Sequence, residues 1–331
     1  MAATSNLTGR SLLCLEDFTR EEILSLIDLA DELKEKKRSG VRGELLDRKN
    51  IAIITEKAST RTRCAFALAA ADEGAHAEFL GRDDIHLGEK ESVADTAQVL
   101  GRMFDGIMFR GYTQDTVETL AEKAGVPVWN GLTGKRHPSQ ALADLQTVRE
   151  HLGGPAGLKV VYVGDGRNNV ANSLMLACAG TGVHFTDCTP ESLSPDEDLV
   201  RQAKDAAAAA GGSVTVDPDP SHAVQGANAV YTDVWVSMGE EKEFKERIKV
   251  LHPYQVTMEL MRKTGNLNNG RAIFLHCLPA FHDHNTEISK ETGALEVTDD
   301  VFRAPFSRVL DLAENRLHTA KAIMVATMTK G

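Results

Sequence analysis

Ser59-Thr-Arg-Thr-Arg63 gathers hydroxyl side chains and two guanidinium groups immediately before a run rich in alanine. If that run is a helix, the pentapeptide also supplies the unpaired backbone N–H groups of a helix start. A dianionic phosphate gains there from the helix dipole, the open amides and forked arginine hydrogen bonds. Each charge-assisted bond contributes about 1.5–3 kcal/mol. The competing reading is a capped helix with a solvated basic turn, and the pentapeptide alone does not choose between them. Gly164-Asp-Gly-Arg-Asn-Asn169 is a second turn of chemical interest. A dinucleotide fingerprint would need glycine where Asn169 stands and an acid at the end of the next strand. Asp187 mimics the acid, but Asn169 blocks the glycine, so NAD is a poor fit.

The elements that must position these turns alternate between helix and strand. Thr19 and Glu22 have the spacing of a capping box and open a helix to about Lys37. Asn50 to Thr55 reads as a buried strand, about Thr60 to Glu73 as a helix and Ala77 to Leu80 as a strand. Ser92–Met103, Gly106–Phe109, Thr113–Lys123 and Val126–Asn130 continue the alternation. After His151-Leu-Gly-Gly-Pro155 a second α/β run begins. Its strands are Leu158–Val163, His184–Asp187, Val214–Val216, Ala229–Thr232 and Ala272–Leu275; its helices are about Asn169–Ala179 and Pro195–Ala210. A long helix, Ser307 to Thr329, closes the chain. This order predicts two doubly wound parallel-sheet α/β domains with a cleft between them. The expected boundaries are 1–150, completed by the last helix at about 307–331, and 151–306. Ligands in such sheets bind beyond the carboxyl ends of strands, where the unusual loops fall.

At 331 residues, the chain is long enough for two domains. Its 42% hydrophobic and 26% charged content is that of a soluble globular protein. Nothing approaches an 18-residue apolar run, so no membrane span or signal peptide is expected, and the cytoplasm is the expected location. A net charge of −11 offers no basic stripe for nucleic acid. Cys14, Cys64, Cys178, Cys188 and Cys277 form no CxxC or Cys/His spacing suited to zinc, and most read as small buried hydrophobes in a reducing compartment.

Further motifs follow in order: Phe109-Arg-Gly111, His137-Pro-Ser-Gln140, Asp233-Val-Trp-Val-Ser-Met-Gly239, His276-Cys-Leu-Pro279 and Glu314-Asn-Arg-Leu-His318. With the Ser59 pentapeptide, this ordered set resembles the aspartate/ornithine carbamoyltransferase family over nearly the whole chain. The Ser-Met-Gly loop with His-Cys-Leu-Pro looks specifically like its ornithine members.

The resemblance implies transfer of the carbamoyl group of carbamoyl phosphate to the δ-amine of L-ornithine, giving citrulline and phosphate, or the reverse phosphorolysis. It places Ser59, Thr60, Arg61, Thr62 and Arg110 on the phosphate, with Arg316 completing the ring of positive charge. His137 would donate to the carbonyl oxygen, a duty Arg110 can share. Gln140 and the backbone carbonyls near Cys277 and Leu278 suit the carbamoyl NH2. His86 would reach the ligand on a mobile loop, commonly from a neighbouring subunit. Asn169 and Asp233 would read the head group of ornithine, Ser237 and Met238 would cover it, and Cys277 would orient the δ-amine. No metal or organic cofactor is implied, and a homotrimer or a multiple of trimers is expected.

Each residue has a plainer reading. His137 before Pro138 would merely cap a turn, Cys277 would be structural, and Arg316 would be an exposed partner of Glu314. Putrescine or another amine is the rival acceptor on the same scaffold. Aspartate would need extra cationic groups that Asp233 and Ser237-Met238 do not offer. A non-catalytic ligand-binding protein on this scaffold would not need oxyanion donors.

Overall fold

The computed structural model describes residues 7–236 and 244–329. The capping box at the first helix forms as its spacing requires: the Glu22 amide donates to the Thr19 hydroxyl, and the Thr19 amide donates to the Glu22 carboxylate. Helix α1 (Arg20–Arg38) then buries Ile23, Leu26, Ile27, Ala30 and Leu33 along one helical stripe. The alternation continues through β1 (Asn50–Thr55), α2 (Arg61–Asp72), β2 (His76–Gly81), α3 (Val93–Met103), β3 (Gly106–Arg110), α4 (Gln114–Ala124), β4 (Val128–Leu132) and α5 (Pro138–Leu152). Strand β4 starts two residues later than the apolar run suggests. Pro127 has no N–H for a ladder bond, so pairing begins after it. Helix α5, to which the motif around His137 assigns no element, carries Pro138 in its first position, where a missing N–H costs nothing.

A second run comprises β5 (Lys159–Val163), α6 (Asn169–Thr181), β6 (His184–Cys188), α7 (Glu197–Ala210), β7 (Ser213–Asp217), α8 (Pro220–Ala223), β8 (Ala229–Thr232), α9 (Phe244–Leu251), α10 (Met258–Lys263), β9 (Ile273–His276), α11 (Ser289–Thr292), α12 (Asp299–Phe302) and α13 (Val309–Met328). The chain forms two compact units, Met1–Gln146 with Glu314–Gly331, and Thr147–Ala313.

Both sheets are parallel. The first has strand order β2-β1-β3-β4 and the second β7-β6-β5-β8-β9. In each, the order reverses beside a central strand: between β1 and β3 in the first unit, and between β5 and β8 in the second. Crevices at such reversals are where open α/β sheets hold ligands. Apolar strands cement each unit. Ala52, Ile54, Ile107, Phe109 and Val128 pack with α3 and α4 in the first. Val161, Val163, Val230 and Phe274 pack under Tyr254, Leu260 and Val301 in the second. No helix among the described residues is long and apolar enough to cross a membrane.

Candidate active site

In the first unit, β1 ends at Thr55 and β3 at Arg110, paired side by side at the reversal point. The loop after β1 leads into α2. Its first turn is tied by Ser59, whose hydroxyl accepts from the Thr62 amide at 3.1 Å. Thr60 is exposed, Ser59 and Arg61 are half-buried, and Thr62 is buried. Arg63 leaves the turn altogether, its guanidinium lying over the Phe79 ring at 3.6 Å. Arg110 is buried at a shift in the β3–β4 register.

Arg316, on α13, is not the exposed partner of Glu314 that its spacing allows. It is only 4% exposed, and its Nη2 donates to Thr62 Oγ1 and its Nη1 to Gln140 Oε1, both at 2.7 Å. Glu314 instead meets His318 and Arg38. His137 stands at the start of α5, its carbonyl accepting from the Gln140 and Ala141 amides and its Nδ1 lying 3.5 Å from Ser139 Oγ. Burial, and then the charges of Arg316, Arg110 and Arg61, hold the His137 imidazole well below its ordinary pKa. A neutral imidazole ringed by three arginines is a hydrogen-bond donor that carries no charge of its own into an anion site. Hydrogen bonds thus join Ser59, Thr62, Gln140 and Arg316. Arg61 and Arg110 act with Arg316 on the charge of His137, and Thr60 stands on the same turn with its side chain exposed. His86 does not join these residues within this chain. Among the described residues it is exposed on the turn between β2 and α3, where its carbonyl accepts from the amides of residues 89–91.

In the second unit the turn after β5 and the loops after β8 and β9 carry the polar groups. Of the two adjacent asparagines, Asn168 is the cap of α6, its Oδ1 accepting from the Val170 amide at 2.7 Å, while Asn169 opens the helix half-buried. Asp233 is 6% exposed. Its Oδ1 accepts from the Val234 amide at 2.8 Å and from Cys277 Sγ at 2.9 Å. The turn after β9 is braced by His276, whose Nδ1 accepts from the Leu278 amide and whose Nε2 faces Glu296. Leu278 has φ +60°, a strained conformation for that side chain, and its peptide bond to Pro279 is cis. Ser237 and Met238 lie outside the described residues.

Acidic groups dominate this strand-end region. The buried Tyr162 phenol is pushed well above its ordinary pKa by burial, then by Asp233, Asp165, Asp187 and Cys277. The buried cation Arg247 is taken up by Asp165 and by the Trp235 carbonyl. Sequence reasoning missed that pair, and no spacing signals it. It also missed Asp144, which bonds Gln140 and which its i, i+4 spacing does signal. Asp187, next to the last residue of β6, is fully buried, and a side chain at Gly166 would meet its carboxylate at 2.8 Å. A ribose could not reach it, a second reason the dinucleotide reading fails. Asp233, His276 and Cys277 place three possible metal-ligand atoms within 4.8 Å, as do His282, Asp283 and Asp299. Within the first set, these groups already bond one another, Leu278 and Glu296. In the second, Arg303 neutralises both carboxylates.

Residues 10–150 match the carbamoyl-P binding domain of the aspartate/ornithine carbamoyltransferase family, and residues 156–327 match its Asp/Orn binding domain. A catabolic ornithine carbamoyltransferase of Bacillus licheniformis is 57% identical over 334 residues, 99% of each chain. An ornithine carbamoyltransferase of Streptococcus equi subsp. equi is 56% identical over 97% of this chain and 96% of its own. The solved ornithine carbamoyltransferase from Pyrococcus furiosus superposes with a TM-score of 0.90 at 45% identity, covering 98% of this chain and 99% of its own. With both domain matches spanning nearly its whole length, the chain belongs to the aspartate/ornithine carbamoyltransferase family.

Proposed function

We propose that this protein transfers the carbamoyl group of carbamoyl phosphate to the δ-amine of L-ornithine, and runs the reverse phosphorolysis of citrulline through the same site. The observation that carries the reading is the contrast in charge. Arg61, Arg110 and Arg316 surround His137 in one unit, while in the other Asp233 is held by neutral donors, the Val234 amide and the Cys277 thiol. The first suits a dianionic phosphate, the second a cationic amine. Aspartate as acceptor would need cations for two carboxylates, and Arg247 is already bound by Asp165.

Ser59, Thr60, Arg61, Thr62 and Arg110 hold the phosphate, with Arg316 closing the ring. Neutral His137 donates to the carbamoyl oxygen, and Arg110 shares that duty as negative charge develops there. Gln140, with the backbone carbonyls of Cys277 and Leu278, accepts from the carbamoyl NH2. Asn169 and Asp233 read the α-amino acid head group, with Ser237 and Met238 over it. Cys277 orients the δ-amine. Its thiol donates to Asp233, which supports direct attack by the amine rather than a thioester. Carbamoyl phosphate belongs to the 1–150 domain with the last helix, ornithine to 151–306. The cysteines are free thiols, which supports a reducing, cytoplasmic setting within arginine metabolism. The exposed His86 supports a homotrimer, or a multiple of trimers, in which the residue serves a neighbouring copy.

Incubating the protein with carbamoyl phosphate and L-ornithine should release citrulline and phosphate in equal amounts. His137→Asn should lower kcat by about 10²–10³, with a smaller change in KM, because the donor matters most as charge develops. Absence of citrulline contradicts the function; a loss confined to KM contradicts the role of His137.

A further inference from the structure

Gln140 lies between two side chains of opposite hydrogen-bonding character. Arg316 Nη1 donates to its Oε1 at 2.7 Å, and its Nε2 donates to Asp144 Oδ1 at 2.9 Å. All three residues are buried. Gln140 and Asp144 are four residues apart on α5, which sets them on one face of the helix. A primary amide has nearly the same shape in either orientation, so its partners decide which way it points. A guanidinium only donates and repels the amide NH2. A carboxylate oxygen accepts and repels the amide oxygen. Together they permit one orientation in which both bonds are made, and a reversed amide would leave both broken where water cannot replace them.

We propose that Asp144 is a positioning residue for carbamoyl transfer, fixing Gln140 with its carbonyl oxygen turned toward Arg316 and toward the carbamoyl NH2. The proposal rests on the assignment of Gln140 to that NH2. An amide oxygen has two lone pairs, so accepting from Arg316 leaves capacity for the substrate N–H. Without Asp144 only Arg316 holds that orientation, and an amide that turned its NH2 inward would set its donors against the substrate's own donor. The same bond steadies Arg316, which also donates to Thr62 in the phosphate turn. Asp144 thereby acts on carbamoyl phosphate without touching it.

An exchange of donor and acceptor tests this directly. The carboxylate introduced by Gln140→Glu still accepts from Arg316 but has no amide proton for Asp144, and KM for carbamoyl phosphate should rise about tenfold or more. Adding Asp144→Asn supplies an NH2 that donates to the introduced carboxylate, restoring the chain of bonds with its atoms exchanged. The double variant should return to within about threefold of wild type. An impaired Gln140→Glu that Asp144→Asn does not rescue overturns the role of Asp144. An unimpaired Gln140→Glu, whose carboxylate still accepts from the carbamoyl NH2, overturns the role of Asp144 while the assignment of Gln140 stands. Should Gln140→Glu not fold, Asp144→Leu and Asp144→Asn give the reading. Leucine, with no acceptor, should raise that KM about tenfold, while asparagine, which keeps one, stays within about threefold. Equal KM values in these two variants overturn the proposal.

Discussion

Among the arginines assigned to phosphate, position in the fold separates function from stability. Arg61 is half-buried in the first turn of α2, whereas Arg110 is buried at the end of a central strand. Arg61→Ala should therefore lower kcat/KM for carbamoyl phosphate by about 10–100-fold, the value of one charge-assisted bond, with an unchanged melting temperature. Arg110→Ala should match that loss and also destabilise the protein by about 1–3 kcal/mol, because it empties a packed position. Kinetics and thermal melting of the two variants check this; equal melting temperatures would contradict it. The Ser59 turn, Arg110, His137 and Arg316 are legible as a set because each belongs to a short motif of unusual composition. What their sequence does not reveal is burial. Arg316 stands close in sequence to a chemically plausible partner, Glu314, yet turns inward to Thr62 and Gln140 instead. Pairings across long separations, such as Arg247 with Asp165, leave no local pattern at all.

At the scale of elements, the tandem asparagines at the start of α6 divide their work. Asn168 caps the helix; Asn169 is the residue proposed to meet the ornithine head group. Asn168→Ala should cost about 0.5–2 kcal/mol of stability through the lost cap. Asn169→Ala should raise KM for ornithine with little change in melting temperature. Thermal melts and ornithine saturation curves distinguish them, and a reversed pattern would exchange the two roles. Helices and strands here were open to sequence reading because their signals are local: capping spacings, β-branched runs and glycine stops. Gly182 takes φ +78° at the end of α6, a conformation costly for other residues. The motif-level reading passes over α5 because attention to His137-Pro-Ser-Gln140 as chemistry obscures Pro138 as a helix start. The short helices α8 and α10 to α12 carry too few residues to show a period.

At the scale of the whole molecule, buried titratable groups give stability a pH dependence of opposite sign in its two units. In the second unit Asp187 has both carboxylate oxygens buried without a hydrogen-bond partner among the described residues, and burial, then Asp165, pushes its pKa up to about 8. The folded state holds this proton and the unfolded state releases it near 3.8, so the stabilising proton is fully present below about 4 and lost as pH rises toward 8. In the first unit burial lowers His318 to about 4, so its contribution is full above 6.5 and lost as pH falls toward 4. Asp187→Asn should raise the melting temperature by several degrees at about pH 8.5 and by clearly less at about pH 5. Equal shifts at both pH values would contradict a protonated Asp187.

The acceptor is the most direct point of attack on the proposed function. Putrescine offers the same reacting amine as ornithine and a second ammonium, but no carboxylate. It would leave the proposed carboxylate contact of Asn169 unmade, at about 1–3 kcal/mol. The decisive measurement is kcat/KM for L-ornithine and for putrescine at saturating carbamoyl phosphate, in the wild type and in Asn169→Ala. The wild type should favour ornithine by about tenfold or more, and Asn169→Ala should shrink that ratio while KM for carbamoyl phosphate stays put. Equal use of the two amines by the wild type would contradict the ornithine assignment.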